Sequence, residues 1–254
     1  MSWDRLDREL AAWAAEGREA TFWWRDDDAV AATPALDRLL RLTESGGVPL
    51  ALAVIPAPAE PGLAERLATQ PQVAVLQHGY AHRNHAGAGM RAVECGGERS
   101  LDAVAGELAL GRERLHALFG GRFLPVLVPP WNRIDAALPP RLPALGFIGL
   151  STWGARELAE ACAGLRQVHT HADPVAWRKG RVFGGGERVV QAIADHLQAR
   201  REGRADPQEP TGVLTHHLVH DEPGWAFLEE LVQRLSRRAG LRWVAPAEAF
   251  GAGA

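Results

Sequence analysis

The sequence predicts an α/β fold wound on a parallel sheet and closed in the manner of a (β/α) barrel. Three observations predict it. Short aliphatic runs alternate with longer stretches of helical periodicity, the pattern of βαβ units. Several of these runs are apolar throughout, as in strands covered on both faces. Roughly eight of them fall within 254 residues, the usual size of a barrel rather than of a small open sheet.

In chain order, Met1–Leu10 reads as a charged amphipathic helix, so residues 1–20 are expected to form an N-terminal helical segment. Strands are expected at Thr21–Arg25, Val48–Ile55, Val73–Gln77, Phe123–Val128, Phe147–Ser151, Gln167–Thr170, Gly212–Thr215 and Leu241–Val244. Between the first two, Thr33 can cap a helix that starts at Pro34 and buries Leu36, Leu39 and Leu40. Leu101, Val104, Leu108, Leu115 and Leu118 mark a long helix closed by Gly120-Gly121, and Glu187–Arg201 and Trp225–Ala239 supply two more. Pro139, Pro140 and Pro143 limit Ile134–Leu145 to short or broken helix. The polar stretch Glu202–Thr211 reads as a surface loop. No repeat or long linker divides the chain, so residues 1–254 are expected to form one domain.

Composition removes several function classes. With 46% hydrophobic and 23% charged residues and a net charge of -3, the chain is not disordered. Lys and Arg total 28 against 31 for Asp and Glu, which argues against nucleic acid as a partner. Lys179 is the only lysine, a bias of composition with little to say about function. Cys95 and Cys162 make no disulfide framework. No run approaches the ~18 apolar residues of a membrane span. The N-terminus has no signal-peptide core, so a cytoplasmic protein with no membrane partner is the expectation.

The informative polar residues follow strands. Asp26-Asp27-Asp28 follows the first, His78-Gly-Tyr-Ala-His82 the third, Pro129-Pro-Trp-Asn132 the fourth and Trp153 the fifth, while His216-His217 closes the seventh. In parallel α/β folds the carboxyl ends of the strands share one rim, so these groups are expected to converge. Singly, each has an ordinary structural explanation: a helix cap, a chance spacing, a rigid turn, a buried imidazole. His85, His116, His169, His171, His196 and His220 are assigned such structural places. Together, one carboxylate and two imidazoles form a three-ligand catalytic metal set, with a second carboxylate as base and a distal histidine as acid.

These residues resemble the polysaccharide deacetylase superfamily (NodB homology, carbohydrate esterase 4). Arg25-Asp-Asp-Asp-Ala29, His78-Gly-Tyr-Ala-His82, Val128-Pro-Pro-Trp-Asn132, Asp173-Pro-Val-Ala-Trp-Arg178 and Leu214-Thr-His216 occur in the family's order across Thr21 to His220. The resemblance implies a distorted (β/α)7-type barrel. It implies removal of N- or O-acetyl groups from a sugar by a metal-dependent hydrolase acting on non-peptide carbon–nitrogen bonds. A small-molecule or carbohydrate substrate is the implied partner. Asp27 is then the base, His216 the acid, and Asp28, His78 and His82 the ligands. A frame one residue earlier makes Asp26 the base and Asp27 the ligand. Pro130, Trp131, Asn132, Trp153, Trp177 and Leu214 are the expected substrate contacts. The ion is expected to be zinc, with cobalt, nickel or iron(II) also matching the donors.

The chain departs from the pattern in two places. The arginine of the third motif, which orients the base, is replaced by Val128, leaving Arg133 or Arg25 as substitutes. Ala176 stands where the fourth motif often carries a second aspartate. The departures point to a divergent branch and keep two alternatives in view. One is a hydrolase of a non-sugar amide or imide on the same scaffold; the other is a catalytically silent carbohydrate-binding barrel.

Overall fold

The computed structural model describes residues 2–252. Its elements are α1 (Ser2–Ala15), β1 (Ala20–Ala29), α2 (Pro34–Gly46), β2 (Leu50–Val54), α3 (Pro61–Leu67), β3 (Val73–His78), α4 (Leu101–Phe119), β4 (Phe123–Val128), β5 (Gly149–Leu150), β6 (Glu160–Cys162), β7 (Leu165–Gln167), β8 (Val175–Ala176), β9 (Val182–Phe183), α5 (Gly186–Arg201), β10 (Thr211–Thr215), α6 (Glu222–Leu235), β11 (Leu241–Trp243) and α7 (Pro246–Ala249).

The main sheet runs β10-β1-β2-β3-β4-β5-β7-β6, with β11 beside the start of β1. Every pairing is parallel except the β6–β7 hairpin; β8 and β9 form a separate antiparallel pair. The path of paired strands is open at its ends. Residues 168–172 cross the gap by single bridges, Trp153 to Thr170 on one side and Ala172 to Val213 on the other. This is the predicted α/β architecture on a mostly parallel sheet, of the distorted barrel type, without strand pairing that closes it.

Period-two alternation along β1 sorts its residues between two layers. Phe22 and Trp24 join the large cluster under α1, α2, α5 and α6, whereas Trp23 joins the smaller inner cluster with Ala51, Ala53, Leu76, Val126 and Val128. Helix starts follow the sequence signals. Thr33 Oγ1 accepts from the Leu36 N–H ahead of Pro34, Ser100 Oγ from Ala103 and Asp221 Oδ1 from Gly224.

Several expectations are corrected. β1 continues through all three aspartates to Ala29 instead of ending at Arg25. β5 keeps only two residues, and β7 lies at Leu165–Gln167, with Val168–Thr170 held by isolated hydrogen bonds. β6, β8 and β9 were not predicted, since strands of two or three residues are too short to show a period. The 202–211 stretch is not wholly surface. Glu209 is fully buried, and its carboxylate accepts from the Arg156 and His169 N–H groups. The proline-rich 134–145 segment forms only 3-10 turns, at Pro139–Arg141 and Pro143–Leu145, as the prolines require. Among the described residues no helix is long and apolar enough to cross a membrane.

Candidate active site

The alternation that sorts Phe22, Trp23 and Trp24 continues into the site. Arg25 and Asp27 share the inner face with Trp23, and Asp26 lies on the outer face with Trp24. Between Asp26 and Ala29 the register with β2 shifts, and Asp28 adopts φ 72°. That bulge breaks the alternation and re-aims the Asp28 carboxylate, the usual work of a bulge beside a site.

Asp28 Oδ1 lies 3.1 Å from His78 Nε2 and 3.4 Å from His82 Nε2. His78 Nδ1 sits 3.0 Å from the Val128 carbonyl, which can only accept, so Nδ1 carries the proton. A neutral His78 therefore presents a lone pair to a carboxylate oxygen that is buried and has no hydrogen-bond donor. Two facing acceptors at that distance require a cation or a proton between them. With no metal, a proton serves. Burial pushes His78 down, but Asp27 and Asp28 outweigh it and raise the imidazole above its ordinary value. Burial likewise opposes ionisation of Asp28, yet the hydrogen bond and charge of His78 hold its carboxyl below the usual range. The donor set thus fits a divalent ion, with a backbone carbonyl behind the ring to accept the Nδ1 proton, as metal-bound imidazoles have.

The loop carrying the histidines is held by a residue the sequence did not flag. Glu94 is buried, and its carboxylate accepts from the N–H groups of Tyr80, Ala81 and Arg83. Gly79 at φ 55° permits this closeness. A Cβ there would lie 2.0 Å from Glu94 Oε2 and 2.6 Å from Pro130 Cδ.

Arg25, fully buried, decides which arginine stands in for the third motif. Its Nε and one terminal nitrogen grip Asp27 bidentately at 2.9 and 3.0 Å. The same guanidinium donates to Asn132 Oδ1, Ser151 Oγ and the Thr152 carbonyl. Arg133 instead donates to the Ala92 carbonyl. The clue in the sequence was spacing, since residues two apart on a strand share a face.

In the same cleft as Asp27, the Trp177 ring meets His216 edge-on at 4.6 Å. Asp173 accepts from the Val175 N–H and from Trp177 Nε1, both at 2.7 Å, which fixes the tryptophan; burial raises its carboxyl above the ordinary value. His217 points the other way. Its Nδ1 is 2.5 Å from Asp26 Oδ1, and Asp26 also accepts from the Thr215 hydroxyl and the His217 N–H. Burial opposes the charged forms of both, but their mutual attraction raises His217 and lowers Asp26. Asp26 is therefore engaged beneath the site, and the geometry groups Asp28, not Asp27, with the imidazoles.

Asp27, the Asp28–His78–His82 group, Asp173, Trp177 and His216 line one cleft of about 580 Å³. Of the residues expected there, Asp27, Asp28, His78, His82, Trp131, Asn132, Trp153, Trp177, Leu214 and His216 line it. Pro130 does not; it is buried against Gly79, which corrects its assignment as a substrate contact. A second group, His171, His196 and Glu209, is close enough to suggest another metal. It fits poorly. The two imidazoles stack at 3.4 Å and 15°, so their ring planes meet only far beyond metal–ligand distance, and the Gly212 N–H donates to His171 Nδ1, leaving the proton on Nε2.

No sequence family profile matches the chain, and no curated protein matches it. Solved structures do. A candidate polysaccharide deacetylase of Mycobacterium smegmatis aligns at 18% identity and TM-score 0.62, over 92% of this chain and 90% of its own. A family 4 carbohydrate esterase from Streptomyces lividans, bound to acetate, aligns at 16% and 0.57 over 87% and 90%. The chain has the fold of the NodB-type deacetylases. A family 4 acetyl xylan esterase from Clostridium thermocellum, solved with cobalt, aligns at 14% and 0.57 over 91% and 90%.

Proposed function

We propose that this NodB-type barrel is a metal-dependent hydrolase that removes an acetyl group from an N-acetylated, or O-acetylated, sugar or glycoconjugate precursor. One observation carries the reading. A single cleft is lined by an Asp28–His78–His82 donor set, by a carboxylate, Asp27, gripped by a buried arginine, and by a further imidazole, His216.

A divalent cation at that set, zinc by the chemistry of its donors, supplies Lewis acidity that acidifies water and polarises an acyl oxygen. Asp27, held in one orientation by Arg25, accepts the proton of the attacking water. We assign to the Trp131 N–H, in the turn beside His82, the donation to the oxygen that becomes negative as the carbonyl carbon turns tetrahedral. His216 gives its proton to the departing amine or alkoxide. Leu214 and Val219 offer apolar contact to the acetyl methyl. Trp153 and Trp177, 47% and 42% exposed, present flat faces to a sugar ring.

The test is elemental analysis beside amine release from N-acetylated sugars. Wild type should hold about one equivalent of zinc or cobalt, and His78→Ala/His82→Ala none. His216→Ala should keep the metal and lose roughly 10²–10⁴-fold in turnover, the usual share of a general acid. A wild type that takes up no metal after incubation with zinc or cobalt, or an unchanged rate in His216→Ala, overturns the reading.

A further inference from the structure

The cleft wall carries arginines that, unlike most in the molecule, are held in no ion pair among the described residues. The chain carries a net charge of -3, and most of its arginines with resolved partners are paired with carboxylates. Three line the cleft instead: Arg133, Arg181 and Arg188. Among the described residues none of the three has a carboxylate within ion-pair distance. Of the acids of the cleft, Asp27 is paired with Arg25, Asp28 is the carboxylate of the metal donor set, and Asp173, held by Val175 and Trp177, also feels the charge of Arg188.

Two of these arginines lie on the His216 side. The turn joining β8 to β9 reads Trp177-Arg178-Lys179-Gly180-Arg181 and concentrates three cations, including the only lysine in the chain, next to the tryptophan that touches His216. Arg181 is held at φ 60°, a conformation disfavoured for a side-chain-bearing residue. Arg188 is fixed by donating to the Asp173 and Val175 carbonyls, and it lies across Gly184, where a Cβ would come within 2.5 Å of its terminal nitrogen. Among the described residues its other N–H groups have no hydrogen-bond partner and can meet a ligand.

We propose that the substrate carries an anionic group, a phosphate or a carboxylate, on the part of the molecule that leaves toward His216, and that Arg181 and Arg188 bind it. This rests on the deacetylase reading for the direction of the leaving group, and the anion site itself rests on the arginines. Forked guanidinium donors match phosphate and carboxylate alike, so the probes must separate the two.

The test compares amine release by the metal-loaded full chain from neutral N-acetylglucosamine, from its 1- and 6-phosphates, and from N-acetylmuramic acid. Calorimetry of glucosamine 6-phosphate and inorganic phosphate binding runs alongside, at low and high salt. An anionic substrate should exceed the neutral sugar at least tenfold in kcat/KM. Arg181→Gln should abolish most of that preference through KM, and Arg188→Lys, which keeps charge without the fork, should abolish part of it. Preference for the phosphates over muramic acid, or the reverse, identifies the anion. Equal rates on neutral and anionic sugars overturn the anion site and leave the deacetylase reading standing. So does a preference that both variants retain. No turnover of any sugar, with salt-sensitive and Arg181-dependent binding of glucosamine phosphate, overturns the deacetylase reading and supports the anion site.

Discussion

Replacing Arg25 by methionine tests the arrangement at its most buried point. The guanidinium is fully buried, and Asp27 is 2% exposed. Five hydrogen bonds leave this one group, two of them to Asp27. Removing one partner of a buried ion pair costs about 3–5 kcal/mol, because a charge remains with nothing to balance it. Ser151 Oγ and Asn132 Oδ1 each lose a donor as well, at about 1 kcal/mol apiece. Arg25→Met should therefore destabilise by about 5 kcal/mol, a large part of the ~5–15 kcal/mol by which domains are stable. The double variant Arg25→Met/Asp27→Asn leaves no charge behind and should be more stable than Arg25→Met alone by about 2 kcal/mol or more. Urea unfolding at pH 7.5 with a chelator present, so that metal binding adds nothing, measures both. A single-variant loss under about 1 kcal/mol refutes the reasoning. So would strictly additive losses in the cycle, since the two side chains would then not be coupled.

Three further expectations concern the histidine loop and the buried imidazoles. Glu94→Ala strands three backbone N–H groups, at about 1 kcal/mol each, and should weaken zinc binding tenfold or more in chelator competition; unchanged affinity would mean the clamp does not position the ligands. Gly79→Ala, at φ 55° with its Cβ driven to 2.0 Å from Glu94 Oε2, should reproduce that loss of zinc affinity, and wild-type thermal unfolding with wild-type affinity would contradict it. Burial lowers His171 to about 3 and His196 to about 2, so the unfolded chain binds more protons than the folded one below about pH 6.5. The pair's contribution is full well above pH 6.5 and falls as the pH drops, by about 3 kcal/mol at pH 5.5; an equal fall in urea midpoint between pH 7.5 and 5.5 in wild type and in His171→Asn/His196→Asn, which leaves the other shifted histidines in place, would exclude it.

The sequence by itself determined the fold class and named most of the residues that meet in the candidate site. Uniformly apolar runs such as Leu50–Val54 declare a strand covered on both sides, and Thr33-Pro34 declares a helix start, because both signals act within a few residues. His78 and His82 were legible for the same reason, being a local spacing at a strand end. Tertiary structure alone decided the rest. Which aspartate joins the imidazoles depends on a bulge at Asp28, and three consecutive aspartates look alike until that register shift is known. Arg25 could be given its place only when Asn132 and Ser151, more than a hundred residues away, were brought against it. Glu94 and Glu209 lie in polar stretches with no period, and only the backbone N–H groups gathered around them account for carboxylates so deeply buried. Local pattern follows from the chain's own geometry; partners distant in sequence are set by how the layers close.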